Sequence, residues 1–260
     1  MTAASVMKSA LDELGAEAQV YLPNRFTDGY GPNLDVYQYY INNENINLII
    51  TVDNGVAGVE AIAWAQENGV DVIITDHHSM PDQLPNAYAI IHPEHPESQY
   101  PFKYLAGVGV AFKVACALLE YAPREMLDLV AIGTIADMVS LTDENRILVA
   151  HGLKVLAQTA RAGLQELMKY AGVDFDKVTE ETVGFQIAPR LNALGRLDDP
   201  NPAIELLTGW DEDEAHEIAK MIDQKNSERK DIVEKIHNEA LAMLTDEPVQ
   251  ILYHKDWHKG

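Results

Sequence analysis

The sequence predicts an α/β fold: a parallel sheet flanked by helices, then a helical subdomain, a long connecting helix and the start of a second α/β domain. Three observations lead there. Continuous β-branched runs such as Leu48-Ile49-Ile50-Thr51-Val52 alternate with helical patterns of about 10 to 15 residues, the signature of βαβ units whose strands are buried on both faces. These runs end on polar clusters, Asp53-Asn54-Gly55 and Asp76-His77-His78, and ligands of parallel sheets sit at the carboxyl ends of strands. Beyond about Gly107 the strand signal stops, and helical patterns follow one another as far as a stretch from Trp210 to Leu244 that holds neither Pro nor Gly.

In order along the chain, Val6, Met7, Ala10, Leu11 and Leu14 repeat at helical spacing and Gly15 supplies a stop, so Thr2 to Gly15 is expected to be an amphipathic helix. A short strand is expected at Ala18 to Leu22, then the loop Pro23 to Gly31 and a helix from Pro32 to about Asn43. Strand Leu48 to Val52 precedes a helix from Val56 to Asn68, Val70 to Thr75 repeats the design, and Tyr88 to Ile91 makes a third strand. Gly107 to Tyr121, Pro123 to Val139, Asp143 to Ala160 and Arg161 to Ala171 are expected helices, and Pro248 to Tyr253 opens a last strand. The expected division is 1–209, with its helical part at about 107–209, then the connecting helix 210–245 and the start of a further domain at 246–260. Both ends read as cut, because a helix precedes the first strand and a long helix leads into a single one.

With 260 residues, 47% apolar and 23% charged, the chain has the composition of a folded globular protein. It contains no uncharged apolar run of about 18 residues and no basic leader, so neither a membrane span nor secretion is expected, and the cytoplasm is the expected compartment. Nineteen Lys and Arg face 41 Asp and Glu, a net charge of −22. Such a surface repels polyphosphates, so a nucleic-acid ligand needs a local basic groove, bound cations or a basic partner. The one cysteine, Cys116, cannot form an internal disulfide and is expected in the core of its apolar helix.

The residues able to do chemistry are Asp53, His77, His78 and Asp137, carboxylates and imidazoles that converge if they all stand at strand ends. Carboxylate oxygen with imidazole nitrogen suits Mn2+ or Fe2+ better than Mg2+. Taken singly, Asp53-Asn54-Gly55 reads as a turn, Asp76 as a helix cap and the two histidines as exposed side chains; together they are much less expected by that account. Asp137 lies in the apolar segment Ala131 to Val139, where a buried carboxylate needs a cation or strong donors, although helical periodicity alone also allows it to face water.

At this point the chain resembles the DHH phosphoesterase superfamily, and within it the RecJ-type single-strand DNA exonucleases. The resemblance rests on the ordered set Pro23 to Gly31, Thr51 to Gly55, Thr75 to His78, Leu105 to Phe112, Gly133 to Asp137, Pro189 to Arg196 and Trp257-His258-Lys259-Gly260. It implies hydrolysis of single-stranded DNA from its 5′ end to mononucleotides, in repair and recombination, with a two-metal cluster of Mn2+ or Mg2+ activating the attacking water. It further implies that Asp53 bridges the metals, that His77 and Asp137 are metal ligands, that His78 contacts phosphate and that Asp76 orients its neighbours. Arg25 and Arg196 match positions binding the 5′ phosphate, with Tyr30, Arg190 and Asn192 nearby. Each Arg could instead tie a loop to a carboxylate, and Gly107-Val108-Gly109 is expected to serve close packing rather than phosphate binding. The family's Asp-x-Asp-Gly segment is missing, so this chain is expected to be an inactive or nearly inactive fragment that holds at most one metal ion. His92, a departure from the family pattern, is read as loop variation. Expected partners are single-stranded DNA and a single-strand-binding protein or helicase. The competing readings are a phosphodiesterase or pyrophosphatase acting on small substrates, and a non-catalytic DHH-fold scaffold.

Overall fold

In the computed structural model, which describes residues 1–258, three parallel strands carry the site. They are β1 (Leu48–Val52), β2 (Asp71–Thr75) and β3 (Ala89–Ile91), in the order β1-β2-β3. Helix α1 (Thr2–Glu13) precedes them, α2 (Leu34–Asn43) and α3 (Val59–Glu67) intervene, and α4 (Gly107–Leu119), α5 (Leu127–Ala136), α6 (Asp143–Leu156) and α7 (Ala162–Tyr170) follow. The short α8 (Glu180–Thr182) runs through a π-helical turn (Val183–Ile187) into α9 (Ala188–Leu197), before α10 (Pro202–Thr208) and the long α11 (Glu212–Ala242). Pro189 offers no N–H to the ladder, which accounts for the widened turn just before it.

Register is what makes the sheet a platform. Val52 pairs with Thr75 and Thr75 with Ile91, so all three strands end level. The residues that follow, Asp53, Asp76 and His92, therefore leave the sheet at one edge.

The main core lies between α1, α4 and α5 and extends to α7, α9, α10 and α11 through Val6, Ala111, Leu129, Ile132, Leu164 and Ile222. A smaller core, with Ile62, Val72 and Ile74, joins the sheet to α3, and the aromatic ring of Tyr37 brings in α2.

Four expectations need correction. Ala18 to Leu22 is extended but forms no strand; the side chain of Asn201 takes the place of a neighbouring strand, accepting from the Leu22 N–H at 2.8 Å and donating to its carbonyl at 3.1 Å. β1 is only partly buried, because it is the sheet's edge and Leu48 stands in solvent. Cys116 is half-buried at the margin of the core rather than inside it. Pro248 to Tyr253 is irregular and exposed, since among the described residues no strand lies beside it to complete a ladder. Trp257 instead folds back and donates its indole N–H to Glu239 at 2.8 Å, while Lys259 and Gly260 of the terminal motif lie outside the described residues. Among the described residues no helix is long and apolar enough to cross a membrane.

Candidate metal centre

The site begins with a sharp turn at the end of β1. Asp53 donates its N–H to the Thr75 carbonyl at 2.9 Å and adopts a left-handed φ of 59°, uncommon for a residue with a side chain. Thr51 fastens the turn by donating its hydroxyl to the Asn54 carbonyl at 2.6 Å, and Thr75 donates its own to the Thr51 carbonyl at 2.8 Å. Gly55 has φ 128°, and a β-carbon there would stand 2.4 Å from Thr51 Oγ1, so only glycine fits. The turn reading of Asp53-Asn54-Gly55 is correct, and the turn is also the device that aims the Asp53 carboxylate.

At the end of β2, Asp76 is 1% exposed and makes four polar contacts. Its Oδ2 accepts from the Val56 N–H at 3.0 Å; its Oδ1 accepts from the N–H groups of His77 at 2.7 Å and His78 at 3.1 Å, and from His78 Nδ1 at 2.7 Å. Burial on its own would raise the carboxyl's pKa, but these donors hold it below the usual carboxylate range. The charged acceptor places a proton on His78 Nδ1 and leaves Nε2 of that half-exposed ring pointing away from Asp76.

His77 turns the other way. Its Nε2 lies 3.1 Å from Asp53 Oδ1 and 3.5 Å from Asp137 Oδ2. Asp137 reaches this point from the C-cap of α5, where its N–H still bonds to Gly133, and the next residue, Met138, takes a left-handed φ of 59°. Burial, which alone would lower the His77 pKa, is outweighed by Asp53, Asp137 and Asp76, so the imidazole is raised. Burial raises Asp137, with His77 opposing and Asp53 reinforcing the shift.

These atoms fit a cation. Asp53 Oδ1 and His77 Nε2 are both buried and face each other at 3.1 Å as an ion pair, without the alignment of a hydrogen bond and with no other hydrogen-bond partner. Unsatisfied buried polar atoms are costly and rare. Ligands bound at about 2.0–2.2 Å and at right angles around a divalent ion stand about 3 Å from one another, close to the observed spacings. One ligand atom each of Asp53, His77 and His78 lies within 4.8 Å of the others.

The first residue of α4, Gly107, lies against Asp53: a β-carbon on it would stand 2.0 Å from Asp53 Oδ1. The glycine serves close packing, and it brings the positive end of the α4 dipole beside a carboxylate.

The basic residues are more scattered. Arg25 lies over the Tyr30 ring, 5.1 Å from its centroid, with Nη1 3.4 Å from the phenol oxygen. The buried Met1 amine, its pKa lowered chiefly by burial, lies within electrostatic range of both Asp53 and Arg25, and the Met1 side chain reaches Gly195, the neighbour of Arg196 in the last turn of α9. Arg190 is engaged elsewhere: its Nε donates to Asp223 on α11 at 2.9 Å and its Nη1 to the Gln186 carbonyl at 2.7 Å. Asn192 is exposed on the same helix.

One residue near the site differs from its sequence reading. His92 is 4% exposed; its Nε2 lies 2.8 Å from the His78 carbonyl, and its Nδ1 accepts from the Glu94 N–H at 3.0 Å. It is a built contact rather than loop variation. The signal available was its place directly after β3, equivalent to Asp53 after β1 and Asp76 after β2.

Residues 1–134 match the DHH family, N-terminal domain. The chain belongs to the DHH family. Among curated relatives it is 49% identical to the single-stranded-DNA-specific exonuclease RecJ of Bacillus subtilis (strain 168), over 100% of this chain and 34% of that protein. It is 40% identical to the RecJ of Haemophilus influenzae, over 100% of this chain and 48% of the relative. A crystal structure of exonuclease RecJ bound to manganese superposes with a TM-score of 0.84 at 31% identity, covering 94% of this chain and 62% of that one. RecJ from Thermus thermophilus in complex with Mn2+ superposes with a TM-score of 0.82 at 30% identity, covering 94% and 36%. The chain thus spans between a third and a half of the curated relatives' length.

Proposed function

We propose that this DHH-family chain carries the metal-binding half of a hydrolase that removes nucleotides from the 5′ end of single-stranded DNA. The observation that supports it best is the pair of buried, poorly aligned atoms Asp53 Oδ1 and His77 Nε2, with Asp137 Oδ2 beside them. In this reading Asp53, His77 and Asp137 hold Mn2+ or Mg2+. When bound, the metal supplies a Lewis acid that activates water and stabilises charge on the phosphoryl oxygens. His78, fixed by Asp76 through Nδ1, presents Nε2 to a substrate phosphate. Asp76 holds both imidazoles by accepting their backbone N–H groups. Arg25 and Arg196 take the 5′-terminal phosphate, with Tyr30 and Asn192 lining the approach, while Arg190, held by Asp223 and the Gln186 carbonyl, braces α9 against α11.

The domain reading goes with it: 1–209 is the phosphoesterase unit, 210–245 the connecting helix and 246–260 the start of the DHH-associated domain. Working partners would be a single-strand-binding protein or a helicase, in the cytoplasm.

Asp53, His77 and Asp137 make one ligand set, enough for one ion. Calorimetric titration of the 260-residue chain is expected to show one weak Mn2+ site, abolished by His77→Ala, and a 5′-labelled single strand is expected to remain nearly undigested. Absence of any Mn2+ binding would refute the metal assignment. Two tight sites with mononucleotide release would refute the one-ion reading and require other carboxylates to complete the cluster.

A further inference from the structure

We propose that His92 is the positioning residue of the His77-His78 loop, acting through the His78 carbonyl; the functional consequence rests on the metal-centre reading above. The Glu94 N–H can only donate, so His92 Nδ1 must be its acceptor and carries no proton. The ring proton is therefore on Nε2, which donates to the His78 carbonyl at 2.8 Å. One buried ring thus spans two backbone groups, and both of its nitrogens are used.

The loop needs this anchor. From its near side Asp76 accepts the N–H groups of His77 and His78, which restrains the backbone at its donors. The carbonyl of His78 is held by His92 Nε2 at 2.8 Å. Register explains how the contact arises: Asp76 donates its N–H to the Ile91 carbonyl at 3.2 Å, so the residue after Ile91 leaves the sheet beside the loop that follows Asp76. Restrained at its N–H donors and at its carbonyl, the loop directs His77 towards Asp53 and Asp137 and keeps His78 against Asp76.

Two conservative variants separate this role from general packing. A glutamine amide nitrogen can take the place of Nε2, whereas an asparagine oxygen reproduces only Nδ1. His92→Gln should keep the donor to His78, and His92→Asn should keep only the acceptor for Glu94; His92→Leu removes both. In the 260-residue chain without metal, amide hydrogen exchange at His77 and His78 is expected to stay protected in His92→Gln and to speed at least tenfold in His92→Asn and His92→Leu. Mn2+ affinity should follow the same order, within about threefold of the parent for Gln and reduced about 10- to 100-fold for Asn, the usual effect of losing an outer-shell partner. Asn and Gln behaving alike in both measurements, or exchange at His77 and His78 unchanged in all variants, would overturn the proposal. If the parent chain binds no Mn2+, the metal reading fails, while the exchange measurement still decides the role of His92. Should His92→Leu fail to fold, the Gln and Asn pair carries the test.

Discussion

Replacing Gly107 by alanine places one methyl group at the tightest contact in the metal centre. The added β-carbon would stand 2.0 Å from Oδ1, 2.3 Å from Cγ and 2.7 Å from Cβ of Asp53. Non-bonded contacts of a β-carbon essentially never fall below 3.0 Å, so the carboxylate must withdraw by at least about 1 Å. Rotating the Asp53 side chain cannot achieve this, because its Cβ is itself in the way. Either the turn after β1 or the start of α4 has to shift. Ligand sets lose their function when displaced by more than about 0.5 Å, and a displacement of 1 Å costs on the order of 100-fold. Mn2+ affinity is therefore expected to fall roughly 100-fold, about 2.7 kcal/mol. The fold should suffer less: overpacking costs about 1–3 kcal/mol, and alanine returns up to about 1 kcal/mol in helix propensity. Gly109→Ala is the control, since the nearest atoms its β-carbon would meet belong to the Leu105 side chain, at 3.2 Å and beyond. The assay is calorimetric titration with Mn2+ beside thermal unfolding. Mn2+ affinity within threefold of the parent in Gly107→Ala, or an equal loss in Gly109→Ala, would refute the argument.

Asp76→Asn should destabilise the fold by roughly 2–4 kcal/mol, because an amide nitrogen meets N–H donors that a carboxylate accepted; denaturant titration measures it, and a loss under 1 kcal/mol would contradict it. Glu144 binds Lys113 at 2.8 Å and the Tyr100 hydroxyl at 2.6 Å, and although burial alone would raise its pKa these partners hold it below the ordinary value. Its contribution is thus present above the unfolded carboxyl pKa and disappears as pH falls through the lowered folded value, so Glu144→Gln should cost up to about 1 kcal/mol at pH 7 and nearly nothing in strong acid. Arg190→Met should lower stability by about 1–3 kcal/mol through the lost Asp223 pair while leaving Mn2+ binding unchanged, which calorimetry and urea unfolding together can check. In a nuclease-active form, Arg196→Ala should weaken use of 5′-phosphorylated ends about 10- to 100-fold more than 5′-hydroxyl ends, the loss of one charge-assisted bond; equal losses would mean a structural role.

The strands were legible because β-branched runs ending in Asp and Gly have few other readings, and β1 matched Leu48 to Val52 residue for residue. The helices were found with ragged ends, as with Pro123 to Val139, which resolves into a short 3-10 turn and α5. Ala18 to Leu22 and Pro248 to Tyr253 misled because local propensity makes a strand only where a neighbour supplies the ladder, and that neighbour is not local information. The convergence of Asp53 with His77 was readable from two strand ends. Asp137 came from a helix end, and neither periodicity nor burial pattern said which way it would face. His92 reads as loop variation for a related reason: its partner is a backbone carbonyl, which no side-chain pattern names, and only its place directly after β3 points to it.

The geometry of the centre also shows where its cost is borne. Asp53 and Met138, the latter directly following Asp137, both adopt left-handed backbone, at φ 59° each. For a residue with a side chain this conformation costs roughly 1–2 kcal/mol. The two sites are of different construction, a strand end and a helix end, yet both place the strain beside a carboxylate aimed at His77 Nε2. An asparagine or glycine would relieve the first, but only at the loss of the carboxylate or of its fixed direction. The strained turn after β1 persists because the bonds among Asp53, Thr51, Asn54 and Thr75 over-determine it. A fold that holds two such conformations, together with a buried and poorly aligned Asp–His pair, at one point is destabilised there in the absence of a ligand, and a cation is the ligand that this donor set would accept.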